Sequence, residues 1–502
     1  MSTKKILAVL LALFVLATAV SGCGNSGSSS ADSQSGSSAT SENSASTEDT
    51  ASTDGEVPTI SLMVVCGTTP PDADAVAEKL SEITRERSAA TLSLLRWRSA
   101  TLPSSSIFSF PAVMIHSMYS WQAFPFRTAQ FVNNGQALSL DTLMEPYAEE
   151  VKTALGEKVY ESGRVNGELY GIGRLLDQAS TTCYNLRRDI AEEFGYKNGD
   201  KVDLAELTEL FGKVREKYPD TPLIGPMNGV PSIGDSRIDS LGNKLGVLDN
   251  YGQDTTVTNY YESAGYEELV GYFKQWKEMG CYMADILNVT DAPIDYIPSG
   301  KAFGCFASHF SAEMNGIWSS QNFGTDIASL QIYEDAVAIT PGAYECINPA
   351  TKNPEAAAAL IYLMATDPDV ENLLINGIEG QHYQVLEDNT ATYVDGKDIS
   401  TTGWCLGYSW TALNSTISIP FEYPADYYDR MLAANKNAQQ SKAFGCQFDL
   451  TGVSDAVSAC TNVVNQYENA LSGGAVEDSM QRSHSSSRDF VMPVSMRLLR
   501  QN

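Results

Sequence analysis

The chain has 502 residues, a net charge of −29 at pH 7 and 43% hydrophobic residues. That acidity excludes a nucleic-acid-binding surface and charge-driven adhesion to anionic lipid. The length exceeds what one ordinary core accommodates, so two lobes or domains are expected.

Lys4 and Lys5 open the chain, and Ile6 to Val20 form an apolar run too short to span a bilayer comfortably. Val20-Ser21-Gly22-Cys23 follows and resembles a bacterial lipobox. That resemblance implies a signal peptide over residues 1–22 and a lipid on Cys23, holding the protein to the outer face of the cytoplasmic membrane. An ordinary secretory signal with a cysteine near its cleavage site is the alternative. Residues 23–56 are almost entirely small and polar, with nothing to bury, and read as a disordered tether with a reach of about 30 Å.

Along the rest of the chain, Val57 to Val65 reads as a strand and Asp72 to Arg87 as a helix. Leu143 to Ala154 reads as a helix, Gly167 to Ile172 as a strand after a turn, and Thr181 to Asn185 as a strand leading into a helix from Arg188. Val202 to Tyr218 carries a cap at Asp203 and apolar residues at helical spacing, Leu207, Leu210, Phe211 and Val214. Pro222 to Ile224 suggests a strand, Tyr266 to Met279 a helix, and Lys301 to Phe306 and Ala336 to Thr340 two more strands. Asn353 to Ala365 is an Ala-rich helix with Pro354 in its first turn. Tyr427 to Gln440 and Val453 to Leu471 read as helices. Strands alternating with helices predict an α/β fold with mainly parallel sheets.

Two stretches break the composition. No acidic residue lies between Glu86 and Asp141, although 62 of 502 residues are acidic, and the tail from Ser479 holds four Arg and one acid, Asp489. Shifting the reading frame lets codons over Ile107 to Gln122 spell Leu-Leu-Leu-Ser-Gly-Gly-Asp-Asp, and lets the tail spell an amphipathic helix. A frameshift over residues 88–130 and 479–502 is the reading adopted, with a basic partner-binding arm as the alternative. An unbroken frame on resequencing the gene would sink it.

Besides Cys23, the cysteines Cys66, Cys183, Cys281, Cys305, Cys346, Cys405, Cys446 and Cys460 are scattered, with no Cys-x-x-Cys pair, and the four His lie far apart. A Cys/His metal site has no support, no cofactor is expected, and buried free thiols fit this dispersion at least as well as disulfides.

Several blocks in order then resemble the extracellular solute-binding proteins of ABC importers, of the large family-1 type related to maltose-binding protein. They are Gly167-Glu168-Leu169-Tyr170-Gly171-Ile172 followed by Cys183-Tyr184-Asn185 and Asp189, then Lys301 to Phe306, then Asn353 to Pro368. Asn376 to Tyr383 and Cys446-Gln447-Phe448-Asp449 resemble a Gram-positive-type subgroup with a distinctive C-terminal region. The resemblance spans roughly Val57 to Glu477. It departs at Gly173, where the family has Pro. It implies a two-lobe periplasmic-binding-protein fold with hinge crossovers over residues 57–420, lobes discontinuous in sequence, and an added helical region over 421–478. It also implies a monomer that captures a carbohydrate, an oligosaccharide foremost, and presents it to permease subunits. A membrane-tethered carbohydrate-active enzyme, or a binder of peptides or other polar solutes, is the alternative.

A sugar seat needs flat apolar faces and planar polar groups. Trp404, Tyr408 and Trp410 cluster in a Gly-rich segment and are stacking candidates, with lobe-boundary filling as the competing role. His309, Phe310 and Trp318 follow the strand where the family's second lobe presents ligand contacts. Arg174 and Asp177 follow the crossover and, by resemblance, would face the cleft; His382 and Tyr383 are weaker candidates. Enzyme signals are poor: Gly234-Asp235-Ser236-Arg237 sits mid-chain and reads as a polar turn, and no Gly-x-Ser-x-Gly or phosphate-cradling loop is present. Binding without turnover is expected.

Overall fold

The computed structural model describes residues 70–87, 115–118 and 131–474, with breaks at 228–232, 242–243, 290, 334–335, 342, 399–400, 405–411 and 447–451, and also residues 60, 62 and 129. The signal segment, Cys23, the tether, the 479–502 tail, Tyr408, Trp410 and most of 88–130 lie outside them.

Two separate hydrophobic cores divide the body. The first gathers α1 (Ala73–Arg87) and residues Leu169 and Ile172 from before the first crossing, then Ile347 and a long later stretch to Phe421. Within that stretch α6 (Pro354–Thr366) starts on its proline and buries Ala356, Ala357, Ala358 and Ala359, a helix apolar almost all round and therefore enclosed. The second core draws on residues 184–333. Its central strand β3 (Ala179–Arg187) runs between β4 (Gly304–His309) and β5 (Ile327–Gln331), antiparallel to both, with Thr181 opposite His309. Helix α3 (Leu204–Lys217) is capped by Asp203, whose side chain accepts the Glu206 N–H. Its Leu207, Leu210, Phe211 and Val214 are all fully buried, as their spacing predicts. Trp276, from α4 (Ala264–Glu278), meets Phe211 edge-on at 5.3 Å and stacks on Phe306 at 5.4 Å, while its indole N–H donates to Thr208 Oγ1 at 2.8 Å.

Two antiparallel segments join the cores. Outbound, β2 (Ile172–Gly173) continues through residues 174–178 into β3. Inbound, β6 (Val337–Ala338) returns into β7 (Tyr344–Ile347). They pair at both ends, Val337 with Ser180 and Tyr344 with Gly173, and between these Ile339 N–H donates to Gln178 O and Arg174 N–H to Ala343 O. Gly173 explains its own departure from the family pattern. A Cβ there would lie 2.7 Å from both Val159 O and Ser162 Oγ, so no side chain fits.

A third connection follows Phe421, which still belongs to the first core. The chain enters α8 (Tyr427–Asn437), whose Met431 packs with Phe310 and Met314 of the second lobe, and then β8 (Gln439–Gln440), which pairs parallel with β6. Helix α9 (Ser454–Ser472) ends against the second lobe, with Ser472 O accepting from Tyr282 and Glu468 paired to Lys244 at 3.0 Å.

Several expectations are corrected. Among the described residues every strand ladder except β6–β8 is antiparallel, because β3 is flanked by strands that return against it and the inbound crossing must oppose the outbound one. The Leu143–Ala154 helix is two helices, Asp141–Met144 and Ala148–Leu155, parted around Pro146, which lacks the N–H a continuous helix requires. Residues 222–224 give only an Ile224–Tyr282 bridge. Within the compositionally odd stretch, β1 (Ile115–Met118) does form a strand, antiparallel to β7.

Candidate functional site

The place to look is where all three connections run together, because a ligand held there contacts both lobes. Asn435 of α8 fixes the outbound crossing: its Oδ1 accepts the Gln178 and Ala179 N–H groups at 2.9 Å each, and its Nδ2 donates to Leu176 O at 2.8 Å. Asp177 sits within this clamp. Its own surface is open to solvent, yet protein surrounds it so densely that desolvation pushes the carboxyl up to about 6.

Facing that carboxylate is an aromatic pair. Tyr423 and Tyr427 stack with centroids 4.1 Å apart and planes at 16°, and Asp177 adds to the burial that raises both phenols. Phe310 backs the pair edge-on to Tyr427 at 5.4 Å, and Tyr428 shares a 2.8 Å hydrogen bond with Ser418. His309 lies beside Phe310, its ring centroid 4.6 Å away; burial pushes its imidazole down to about 4, so the ring is neutral. Among the described residues Nδ1 of His309, Oγ1 of Thr181 and Nε2 of Gln178 are buried without a hydrogen-bond partner. Three unmet polar groups beside an open carboxylate and a tyrosine stack suit a polyhydroxyl ligand.

The sequence candidates scatter. Asp177 and His309 come together here, with Phe310 (4% exposed) as backing. Trp318 of α5 (Ala312–Phe323) is partly buried against the second core, edge-on to Phe323 at 6.0 Å. Arg174 does not face a cleft: it is fully buried and its guanidinium donates to Glu345 on the inbound crossing. Tyr383 is 3% exposed, its hydroxyl accepting from Asn372. His382 is wholly buried, Nδ1 accepting the Ile378 N–H at 2.8 Å and Nε2 3.1 Å from Asp72. Trp404 is 4% exposed in the first core, its indole N–H donating to Leu374 O. Tyr408 and Trp410 lie outside the described residues.

Gly234 to Arg237 is a turn. Ser236 is buried, its Oγ accepting the Thr182 N–H, and Asp235 is occupied by Arg237 at 2.9 Å. Among the described residues no cluster of His, Cys, Asp and Glu could hold a metal ion. Six described cysteines, Cys183, Cys281, Cys305, Cys346, Cys446 and Cys460, are free thiols, and all but Cys446 are buried. No described helix is long and apolar enough to cross a membrane.

What sequence reading missed is the tyrosine pair. Its signal was present: Tyr423 and Tyr427 are four apart at a helix start, in a Phe421-Glu422-Tyr423-Pro424-Ala425-Asp426-Tyr427-Tyr428 run dense in aromatics.

No protein-family model matches the chain. A carbohydrate ABC transporter substrate-binding protein of Streptococcus pneumoniae serotype 4 is 24% identical over 363 residues, 69% of this chain and 71% of that protein. The solved N-glycan transport solute-binding protein of Streptococcus pneumoniae superposes with a TM-score of 0.68 at 19% identity, covering 89% of this chain and 95% of that one. Its complex with Man5GlcNAc gives 0.62 at 18% identity over 88% and 97%. A human-milk-oligosaccharide (HMO) binding solute-binding protein of Bifidobacterium longum infantis gives 0.57 at 13% identity over 88% and 97%. These structural likenesses speak for the two-lobe fold. Taken with the sequence relative and the paired crossings, they show that this chain has the two-lobe fold of the solute-binding proteins it is similar to.

Proposed function

We propose that the protein captures an oligosaccharide between its lobes and hands it unaltered to an ABC permease. The observation that carries this is the Tyr423–Tyr427 stack beside the solvent-open Asp177 at the three connections. Flat rings cover the C–H faces of a sugar, and a carboxylate accepts from paired hydroxyls. The relative that transports carbohydrate and the neighbour crystallised with Man5GlcNAc support the same class. Hinge bending at the crossings would close the lobes on the ligand.

The test uses Man1GlcNAc, Man5GlcNAc and neutral milk-type oligosaccharides with the purified protein. Binding should raise the melting temperature, and the sugar should be recovered intact. Tyr423→Ala is expected to weaken binding by about 1–3 kcal/mol, as aromatic anchors do, whereas Tyr423→Phe keeps most of the affinity. Cleaved sugar would overturn capture without turnover, and an unchanged Tyr423→Ala affinity would move the seat elsewhere.

We also propose that Cys23 carries the lipid that keeps the protein at the membrane, a monomer beside its permease. The expected result is that Cys23→Ala releases the protein into the medium, with mass spectrometry of the wild-type N-terminal peptide reading the acyl groups. An unmodified Cys23 in membrane-extracted protein contradicts it.

A further inference from the structure

The charges around the seat are lopsided. Asp177 is the carboxylate open to it, and among the described residues no ion pair involves this side chain. Arg174, three residues earlier, is turned into the core against Glu345. His309 is neutral. On the helices that meet there, Arg430 is already held by Glu313 at 3.0 Å and Asp426 at 2.8 Å. The loop that carries the tyrosines adds Glu422 and Asp426. Lys436, in the last turn of α8, is exposed, and it is outnumbered by Asp177, Glu422 and Asp426, so the region offers a ligand more carboxylates than cations, together with phenol and amide groups.

We infer that Asp177 makes this seat discriminate by charge, admitting neutral saccharides and turning away the same chains when they carry a uronate. The inference rests on the carbohydrate reading above. A neutral polyol brings only hydroxyls, which donate to the carboxylate in a charge-assisted bond. A uronate brings a further negative charge to a place that already holds Asp177, Glu422 and Asp426, and like charges brought within a few ångströms repel. Discrimination of this kind works by an unfavourable contact with the wrong ligand as much as by a favourable one with the right ligand.

The experiment is calorimetric titration of the full-length protein at pH 7.5 with two probes. One is Man5GlcNAc; the other is Man5GlcNAc oxidised at C6 of its terminal mannose units to the uronate. Wild type is expected to bind the oxidised probe at least about tenfold more weakly, since like charges brought together across a binding seat repel. The ratio of the two affinities is what is read. Asp177→Asn should bring it below about threefold, because the repelling charge is gone, while Asp177→Glu should keep it. Equal affinities in wild type, or an undiminished ratio in Asp177→Asn, would overturn the assignment. Loss of both sugars in Asp177→Asn would overturn it too, since Asp177 would then support the seat as a whole rather than its selectivity. If wild type bound neither probe nor any neutral sugar of the earlier panel, the carbohydrate reading itself would fall, a result distinct from equal binding of both.

Discussion

Replacing Glu345 with Ala is expected to lower the free energy of unfolding by about 3–5 kcal/mol, because it strands a buried cation. Arg174 and Glu345 face each other across the two crossings, and neither side chain has any exposed surface. Glu371 of α7 (Pro368–Asn376) completes the group. It is fully buried, and desolvation pushes its carboxyl up to about 8, against the opposing effects of the Leu413 N–H, which donates to Oε1 at 3.0 Å, and of the Arg174 charge. Near neutrality Glu371 therefore keeps its proton beside the Arg174–Glu345 pair. Removing Glu345 also removes its repulsion of Glu371, which can then ionise and partly balance Arg174. The double variant Glu345→Ala/Glu371→Gln should accordingly lose more stability than the sum of the two single changes.

The same trio sets a pH dependence. Glu371 has a folded value above its ordinary 4.5, so the folded chain binds its proton more tightly than the unfolded chain does. Its contribution is complete below about 4.5 and disappears as pH rises through about 8. Glu371→Gln keeps an acceptor for Leu413 and cannot ionise, so that part of the decline between pH 5 and pH 8 should vanish in urea unfolding. An unchanged pH slope in Glu371→Gln would place the titrating group elsewhere.

The contrast between what the sequence disclosed and what it hid follows from the range of the interactions. Helix α3 was legible because its cap and its apolar stripe are local: Asp203 bonds Glu206, three residues away, and the buried residues repeat at helical spacing. Pro354 announced α6 in the same way. The outbound crossing lies between the Gly167–Ile172 and Cys183–Asn185 blocks that carry the resemblance, whereas its partners Tyr344, opposite Gly173, and Val337, opposite Ser180, lie in none of those blocks. The direction of the strand ladders was not legible, because pairing joins residues more than a hundred positions apart, such as Thr181 and His309. Nor was the seat. Asp177 is positioned by Asn435 and faced by Tyr423 and Tyr427, all from a region read only as an added helical piece. Burial reversed other candidates: Arg174 looked like a cleft residue because it follows the crossover, but the partner that claims it, Glu345, is visible only once the chain has returned.

Trp404 carries the sharpest reversal, and its replacement by Ala is expected to destabilise the protein by about 3–5 kcal/mol, the usual cost of emptying a large buried aromatic site. Its ring packs in the first core, stacks at 6.4 Å over His382, and holds Leu374 O through its indole N–H. The surroundings are tight as well as buried: a Cβ at Gly377 would come within 2.8 Å of the Trp404 ring and 2.4 Å of His382 Nδ1, so this corner is already filled. A site closed in this way has little freedom to collapse around a missing indole, which places the cost toward the upper end of the range. His382 would lose its covering ring, and with it part of the support for its contact to Asp72 at the start of α1. The first lobe should therefore unfold at lower denaturant. Affinity for Man5GlcNAc, measured where the variant is still folded, should change by less than about threefold, because Trp404 packs in the first core with His382 and Leu374, whereas Tyr427 packs against Phe310 of the second lobe. The opposite pattern, normal stability with lost sugar binding, would return Trp404 to the ligand and remove the tyrosine pair from the seat.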